Sequence, residues 1–298
     1  MSESRSNRPT APEWRTLALI LGCYASALGL LFAPLPSGLV AVLLVPVLVL
    51  HSSLSHEALH DHPFRARVVN EVLMALPLTL VIPYGRFRDL HLAHHLDARL
   101  TDPYDDPESN YLDPVIWAGL SRWSRGLYAL NNTLLGRILL GPAIGQARFM
   151  AGDWAQRRVR AVWQAWALHL PGALAVLWVV TVAPLPLWTY LLACYGALGV
   201  LKIRTFLEHR AHAQSRARTV IVEDRGLLSF LFLNNNLHVV HHMHPTAPWY
   251  RLPQLYRVGR ARYLNCNEHY VYRSYGAVIR RFLLCRKDPV AHPLWRRG

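Results

Sequence analysis

Two long stretches of this chain carry no formal charge. Residues 16–55 contain no Asp, Glu, Lys or Arg, and neither do residues 161–201. Each run is about twice the ~20 apolar residues that cross a bilayer as one helix. Each is also broken near its middle by prolines, Pro34-Leu35-Pro36-Ser37-Gly38 in the first and Pro184-Leu185-Pro186 in the second. Proline interrupts a helix because it lacks the backbone N–H, so each run is expected to fold back on itself. The pattern predicts two transmembrane helical hairpins, with four spans at about 16–36, 37–55, 162–183 and 186–204. A buried core helix would not need charge-free stretches this long. With 52% apolar residues in 298, the fold class expected is an all-α integral membrane protein of one domain, 1–298. Residues 56–160 and 205–298 would form a helical cap.

All 32 Lys and Arg residues lie outside the two runs. An even number of crossings leaves them on one face, which the positive-inside rule makes cytoplasmic. The expected location is therefore multi-pass, in the cell inner membrane. A net charge of +14 fits anionic lipid headgroups beside the spans; no basic and aromatic nucleic-acid motif is evident, so no nucleic-acid partner is expected. Residues 1–15 are polar and basic and lead into an apolar stretch, as in a signal peptide, but retention as the first span is the expectation. Cys23, Cys194, Cys266 and Cys285 lack paired ligand spacing and fit a reducing compartment. Within the cap, 68–83 is expected to be re-entrant or interfacial and 127–154 to lie on the bilayer. Residues 271–284 are expected to form a surface helix.

The chemistry lies in the cap. Three clusters, His56-x-x-x-His60, His91-x-x-His94-His95 and His238-x-x-His241-His242, hold eight of the 16 histidines. Residues three and four apart share a helix face, so each cluster offers two or three imidazoles from one turn. Imidazole binds zinc, copper, iron and nickel. Eight nitrogens exceed what one tetrahedral zinc takes and suffice for two metals with open positions, which points to a dinuclear redox centre. His51, His169, His269 and His292 have no partners at ligand spacing and read as core or surface residues. An all-imidazole set is neutral, so acids and other polar groups are expected behind the ligands. The candidates are Glu57, Asp61 and His62 at the first cluster, Asn234 before the third, and the acids Asp97, Asp102, Asp105, Asp106 and Glu108 after the second.

HEALH, HLAHH and HVVHH, mounted on two membrane hairpins, resemble the membrane fatty acid desaturase and hydroxylase superfamily. The resemblance covers about residues 16–255 and includes the order of hairpins and boxes. Asn234-Asn235-Asn236-Leu237-His238, His244-Pro245 and the segment from Pro248 to Pro253 also resemble the surroundings of the third box in bacterial desaturases. It implies two irons held by His56, His60, His91, His94, His95, His238, His241 and His242, with a further histidine from the cytoplasmic end of the last span. His209 matches that position best, His212 is the reserve, and Glu208 lies beside them. At one position the likeness breaks. Acyl-CoA desaturases hold a metal-bound water through an asparagine four residues before this histidine, and here that residue is Thr205.

The implied function is an oxygen-dependent di-iron fatty acyl desaturase with O2 as co-substrate and a lipid acyl chain as substrate. Electrons are expected from a separate ferredoxin or cytochrome, because neither a haem-binding segment nor an iron–sulfur cysteine pattern is evident. A lipid or carotenoid hydroxylase or ketolase of the same superfamily is the first alternative. His56-Glu57-Ala58-Leu59-His60 also satisfies the HExxH pattern of zinc proteases, which leaves the other two boxes unexplained. A metal transporter would place its ligands near the bilayer midplane, not beyond the spans.

Overall fold

A computed structural model describes residues 12–295; residues 1–11, most of the expected leader-like start, lie outside it. In chain order the helices are α1 (Trp14–Phe32), α2 (Ser37–Leu59), α3 (Arg67–Leu73), α4 (Tyr84–His94), α5 (Pro114–Gly119), α6 (Arg122–Asn131), α7 (Leu134–Ala155), α8 (Arg160–Val182), α9 (Leu187–Thr205), α10 (Leu227–Leu231), α11 (His238–Met243), α12 (Leu252–Cys266) and α13 (Tyr275–Phe282). The chain turns between α1 and α2 and between α8 and α9 at the two proline-marked sites. One departure from an all-helical fold is a parallel pair of two-residue strands, β1 (Ile221–Val222) and β2 (Val271–Tyr272).

Among the described residues three helices, α1, α2 and α8, are long and apolar enough to cross a membrane. Their outward faces keep large apolar side chains uncovered: Leu168, Leu174 and Trp178 on α8 are 76%, 63% and 66% exposed. Apolar surface on this scale calls for apolar surroundings. The fourth expected span forms α9, which is less apolar. Thr189, Tyr190 and Tyr195 interrupt it, and Lys202 and Arg204 lie in its last turn. In compensation α9 is more enclosed than α1 or α8. It packs along α2 and α7, and its Tyr190, Ala193 and Ala197 join Leu44 and Leu48 of α2 in the main core. The approach to α7 is close enough that a Cβ on Gly199 would sit 2.8 Å from the Ile138 carbonyl oxygen.

The segment expected to be re-entrant is α3 followed by a non-helical stretch, 74–83, with Met74, Leu78 and Pro83 buried and Ala75 and Leu76 exposed. Several of its backbone carbonyls, and that of Leu73 at the end of α3, have no backbone partner, and a buried unpaired carbonyl costs about 1–3 kcal/mol. Side chains from four surrounding helices supply the donors. Tyr24 of α1 donates to Leu73 (2.7 Å), Tyr190 of α9 to Leu78 (2.6 Å), His169 of α8 to Leu80 (2.9 Å) and Gln146 of α7 to Val81 (2.9 Å). His51 in turn lies 3.1 Å from the Tyr24 hydroxyl. The two histidines in the apolar runs therefore hold backbone, directly or through a tyrosine. Gly172 lets α8 close on this loop, since a Cβ there would fall 1.8 Å from the Ala75 carbonyl oxygen.

Two expectations need correction. Residues 127–154 are not one surface stretch: α6 keeps Trp123, Leu127 and Leu130 exposed, whereas α7 turns inward to pack on α9. The tail 271–284 is not a surface helix either. It is β2 followed by α13, whose Tyr275, Val278 and Phe282 are buried in the main core. In α7 and α13 one apolar face that suggested a membrane surface finds a protein partner instead, while Leu127, Leu130, Leu139, Met150 and Trp154 stay exposed.

Candidate metal centre

Four elements bring the histidines together. His56 and His60 stand at the end of α2, His91, His94 and His95 at the end of α4, and His238, His241 and His242 along α11. His209 follows α9 and is held by backbone pairing with Thr219. These nine residues form two groups, His56, His60, His91, His95 and His241 in one and His94, His209, His238 and His242 in the other. Within each group every residue offers a ligand atom, all within 4.8 Å of one another. The groups abut: the His95 and His242 rings stack with centroids 4.4 Å apart.

Helix geometry explains the partition. At about 100° per residue, positions i and i+4 differ by about 40° in direction, while i+3 and i+4 differ by about 100°. The i,i+4 pairs His56/His60, His91/His95 and His238/His242 each stay within one group, and the i+3 residues His94 and His241 cross to the other. Boxes two and three thereby serve both groups and tie them together.

The ring nitrogens show an inward and an outward side. His91 donates from Nδ1 to Glu108 Oε1 (2.9 Å), His94 to Asp106 Oδ1 (2.7 Å) and His238 to Asn235 Oδ1 (2.8 Å). With the proton on Nδ1, each Nε2 presents a lone pair inward. There the nitrogens crowd: His56 to His91 is 3.0 Å, His95 to His91 2.9 Å, His241 to His95 3.1 Å, His94 to His209 2.8 Å and His238 to His209 3.2 Å. Lone pairs converging at this range repel unless a cation lies between them. Two nitrogens each ~2.1 Å from one ion at right angles are ~3.0 Å apart, so the donor set fits a metal ion in each group. Burial, and then the neighbouring imidazoles, hold His209, His238 and His241 well below the usual histidine pKa, as neutral ligands require. His94 is the exception. Burial alone would lower it, but Glu108 and Asp106 outweigh that and push it up to about 9. The same carboxylates would stabilise a metal cation in place of that proton.

The candidates for supporting roles separate clearly. Buried Glu57 accepts from the Trp249 backbone N–H (3.1 Å) and lies 3.9 Å from His56 Nδ1, linking box one to the loop after box three. Glu208 is buried, paired with Arg204 (2.9 Å) and 3.8 Å from His238 Nδ1. Thr205 lines a cavity beside these groups. His62 turns away and bonds Glu13 at the start of α1 (2.8 Å), and Asp61 occupies the turn after α2 with φ 67°. Asn234 donates to the Trp249 carbonyl (3.1 Å), so the amide that touches His238 belongs to its neighbour Asn235. His212 lies outside both groups, 3.2 Å from Glu268. Of the acids after box two, Asp102 caps a turn through the Tyr104 and Asp105 N–H groups, whereas Asp106 and Glu108 reach the histidines. The Asp97 side chain lies outside the described residues.

A cavity of about 540 Å³ reaches the centre, lined there by Thr205, Glu208, His209 and Glu108. Away from it the wall is largely apolar, with Met74, Ile82, Phe87, Phe149, Leu198 and Leu201. This volume falls in the range of small-molecule sites. A second hollow of about 560 Å³, at His212, Arg218 and Trp295, includes none of the nine histidines.

A family model described as fatty acid desaturase matches residues 5–276. Among curated proteins, none matches the chain.

Proposed function

Because the chain belongs to the fatty acid desaturase family, we propose that it is an oxygen-dependent di-iron fatty acyl desaturase of a membrane. The observation that carries this reading is the pair of convergent histidine groups at the end of a largely apolar cavity. His56, His60, His91, His95 and His241 would hold one iron, and His94, His209, His238 and His242 the other. Bound iron supplies the reductive activation of dioxygen needed to remove hydrogen from an unactivated methylene. The chain's own residues do the rest. Asp106, Glu108 and Asn235 fix the ring orientations and tautomers, and Met74, Phe87, Phe149 and Leu201 exclude water from the substrate path.

In this reading α1, α2, α8 and α9 are four spans, and the histidine-bearing cap faces the cytoplasm with the basic residues. Lys202 and Arg204 then mark the cytoplasmic end of α9. Electrons come from a separate ferredoxin or cytochrome drawn to the basic face. A one-zinc protease is disfavoured, because the Glu57 carboxylate needed as general base accepts the Trp249 N–H, and His56 and His60 are grouped with boxes two and three. The test is expression in a host whose fatty acids and carotenoids are profiled by mass spectrometry. A new acyl alkene is the expected product; a hydroxy or keto product without a new alkene would move the chain to the hydroxylase and ketolase branch.

A further inference from the structure

The charges lining the cavity do not cancel. Arg86 is paired with Asp153 (2.8 Å) and Arg204 with Glu208 (2.9 Å), while the third carboxylate, Glu108, accepts a hydrogen bond from His91 Nδ1 (2.9 Å). Lys202 and Arg148 line the same cavity with no ion pair or hydrogen bond among the described residues. Lys202 is also held in place. Its stem lies across two glycines of α7: a Cβ on Gly141 would be 3.3 Å from Lys202 Cγ, and one on Gly145 would be 3.1 Å from Nζ. Arg137 and then Arg148, one turn beyond Gly145, are near enough to repel the ammonium, while Glu108 and Glu208 attract it from a distance without bonding it. Arg148 is exposed at the rim, so the cost falls on Lys202, a partly buried ammonium seated in a glycine groove with no anion bonded to it. Lys202 precedes Thr205 by one turn, so this charge sits beside the path to His209.

We propose that Lys202, assisted by Arg148, binds an anionic oxygen group, a carboxylate or a phosphate, at the head of the chain that occupies the cavity. This deepens the desaturase reading and rests on it: the substrate is an acidic lipid, and a neutral one such as a carotenoid would leave the ammonium facing hydrocarbon.

The test uses the full chain in nanodiscs of neutral phosphatidylcholine, with equilibrium binding of palmitic acid, methyl palmitate and dipalmitoyl phosphatidate. The acid or the phosphatidate should bind at least about tenfold tighter than the ester, the worth of one charge-assisted hydrogen bond. Preference for the acid assigns the head group as carboxylate, and preference for the phosphatidate assigns it as phosphate. Lys202→Met should bring the preferred ligand down to the level of the ester and leave ester binding unchanged, while Lys202→Arg keeps the preference. Equal binding of all three ligands to the wild-type chain overturns the proposal without recourse to any variant, as does a preference that survives Lys202→Met. Iron is counted in the same samples. Two irons with no charge preference defeat this inference alone, whereas a zinc-only protein defeats the function beneath it.

Discussion

The two histidine groups differ in make-up and in outlook. The five-member group draws every residue from the three boxes, and none of its members lines the cavity. The four-member group includes His209, which belongs to no box and does line the cavity, together with Thr205 and Glu208 just before it. The contrast assigns different work to them. The fuller group sits back from the cavity, and the leaner group meets it through His209, which in the proposed reading puts it on the substrate path.

Substitutions at single ligands break or sharpen that contrast. His209→Ala should have the largest effect, abolishing product formation (a loss above ~100-fold) and releasing one of the two irons. His60→Ala leaves four nitrogens in its group, so both irons should be retained and the activity loss should be smaller. Equal iron and activity losses in the two variants would erase the distinction. The outer partners come next. Asp106→Asn and Glu108→Gln should each weaken metal affinity about 10–100-fold, Asp106→Asn at the four-member group through His94 and Glu108→Gln at the five-member group through His91. Iron titration followed spectroscopically would show which of two binding steps each variant weakens. The smallest effect belongs to His212→Ala, which should leave iron content unchanged and activity within about twofold. A large loss there would move the ninth ligand from His209 to His212.

The boxes were legible because helical spacing is local: residues three and four apart meet whatever the rest of the chain does. Helical spacing even accounts for the split of the box histidines into five and three, with His94 and His241 as the residues that cross, and His209 completes the smaller group from outside the boxes. What spacing does not hold is partnership over distance. Asp106 and Glu108 stood in a run of acids with nothing local to separate them from Asp102, which caps a turn. Asn234 and Asn235 are adjacent and chemically identical. The left-handed backbone at Leu233 and Asn234 (φ 49° and 58°) decides which amide faces His238. The hairpins read directly from charge and proline, but α7 and α13 did not. Their apolar faces are the same whether membrane or protein covers them, and only tertiary packing on α9 and the main core distinguishes the two. His169 lies outside both histidine groups and bonds the Leu80 carbonyl, a role that needed the non-helical 74–83 stretch, whose orphan carbonyls leave no mark in the sequence.

Anomalous X-ray scattering at the iron edge, from crystals of protein purified without added metal, would bear on both groups at once. Two iron peaks are expected, one among the nitrogens of His56, His60, His91, His95 and His241 and one among those of His94, His209, His238 and His242. A single peak, or peaks that follow the zinc edge instead, would contradict the di-iron centre.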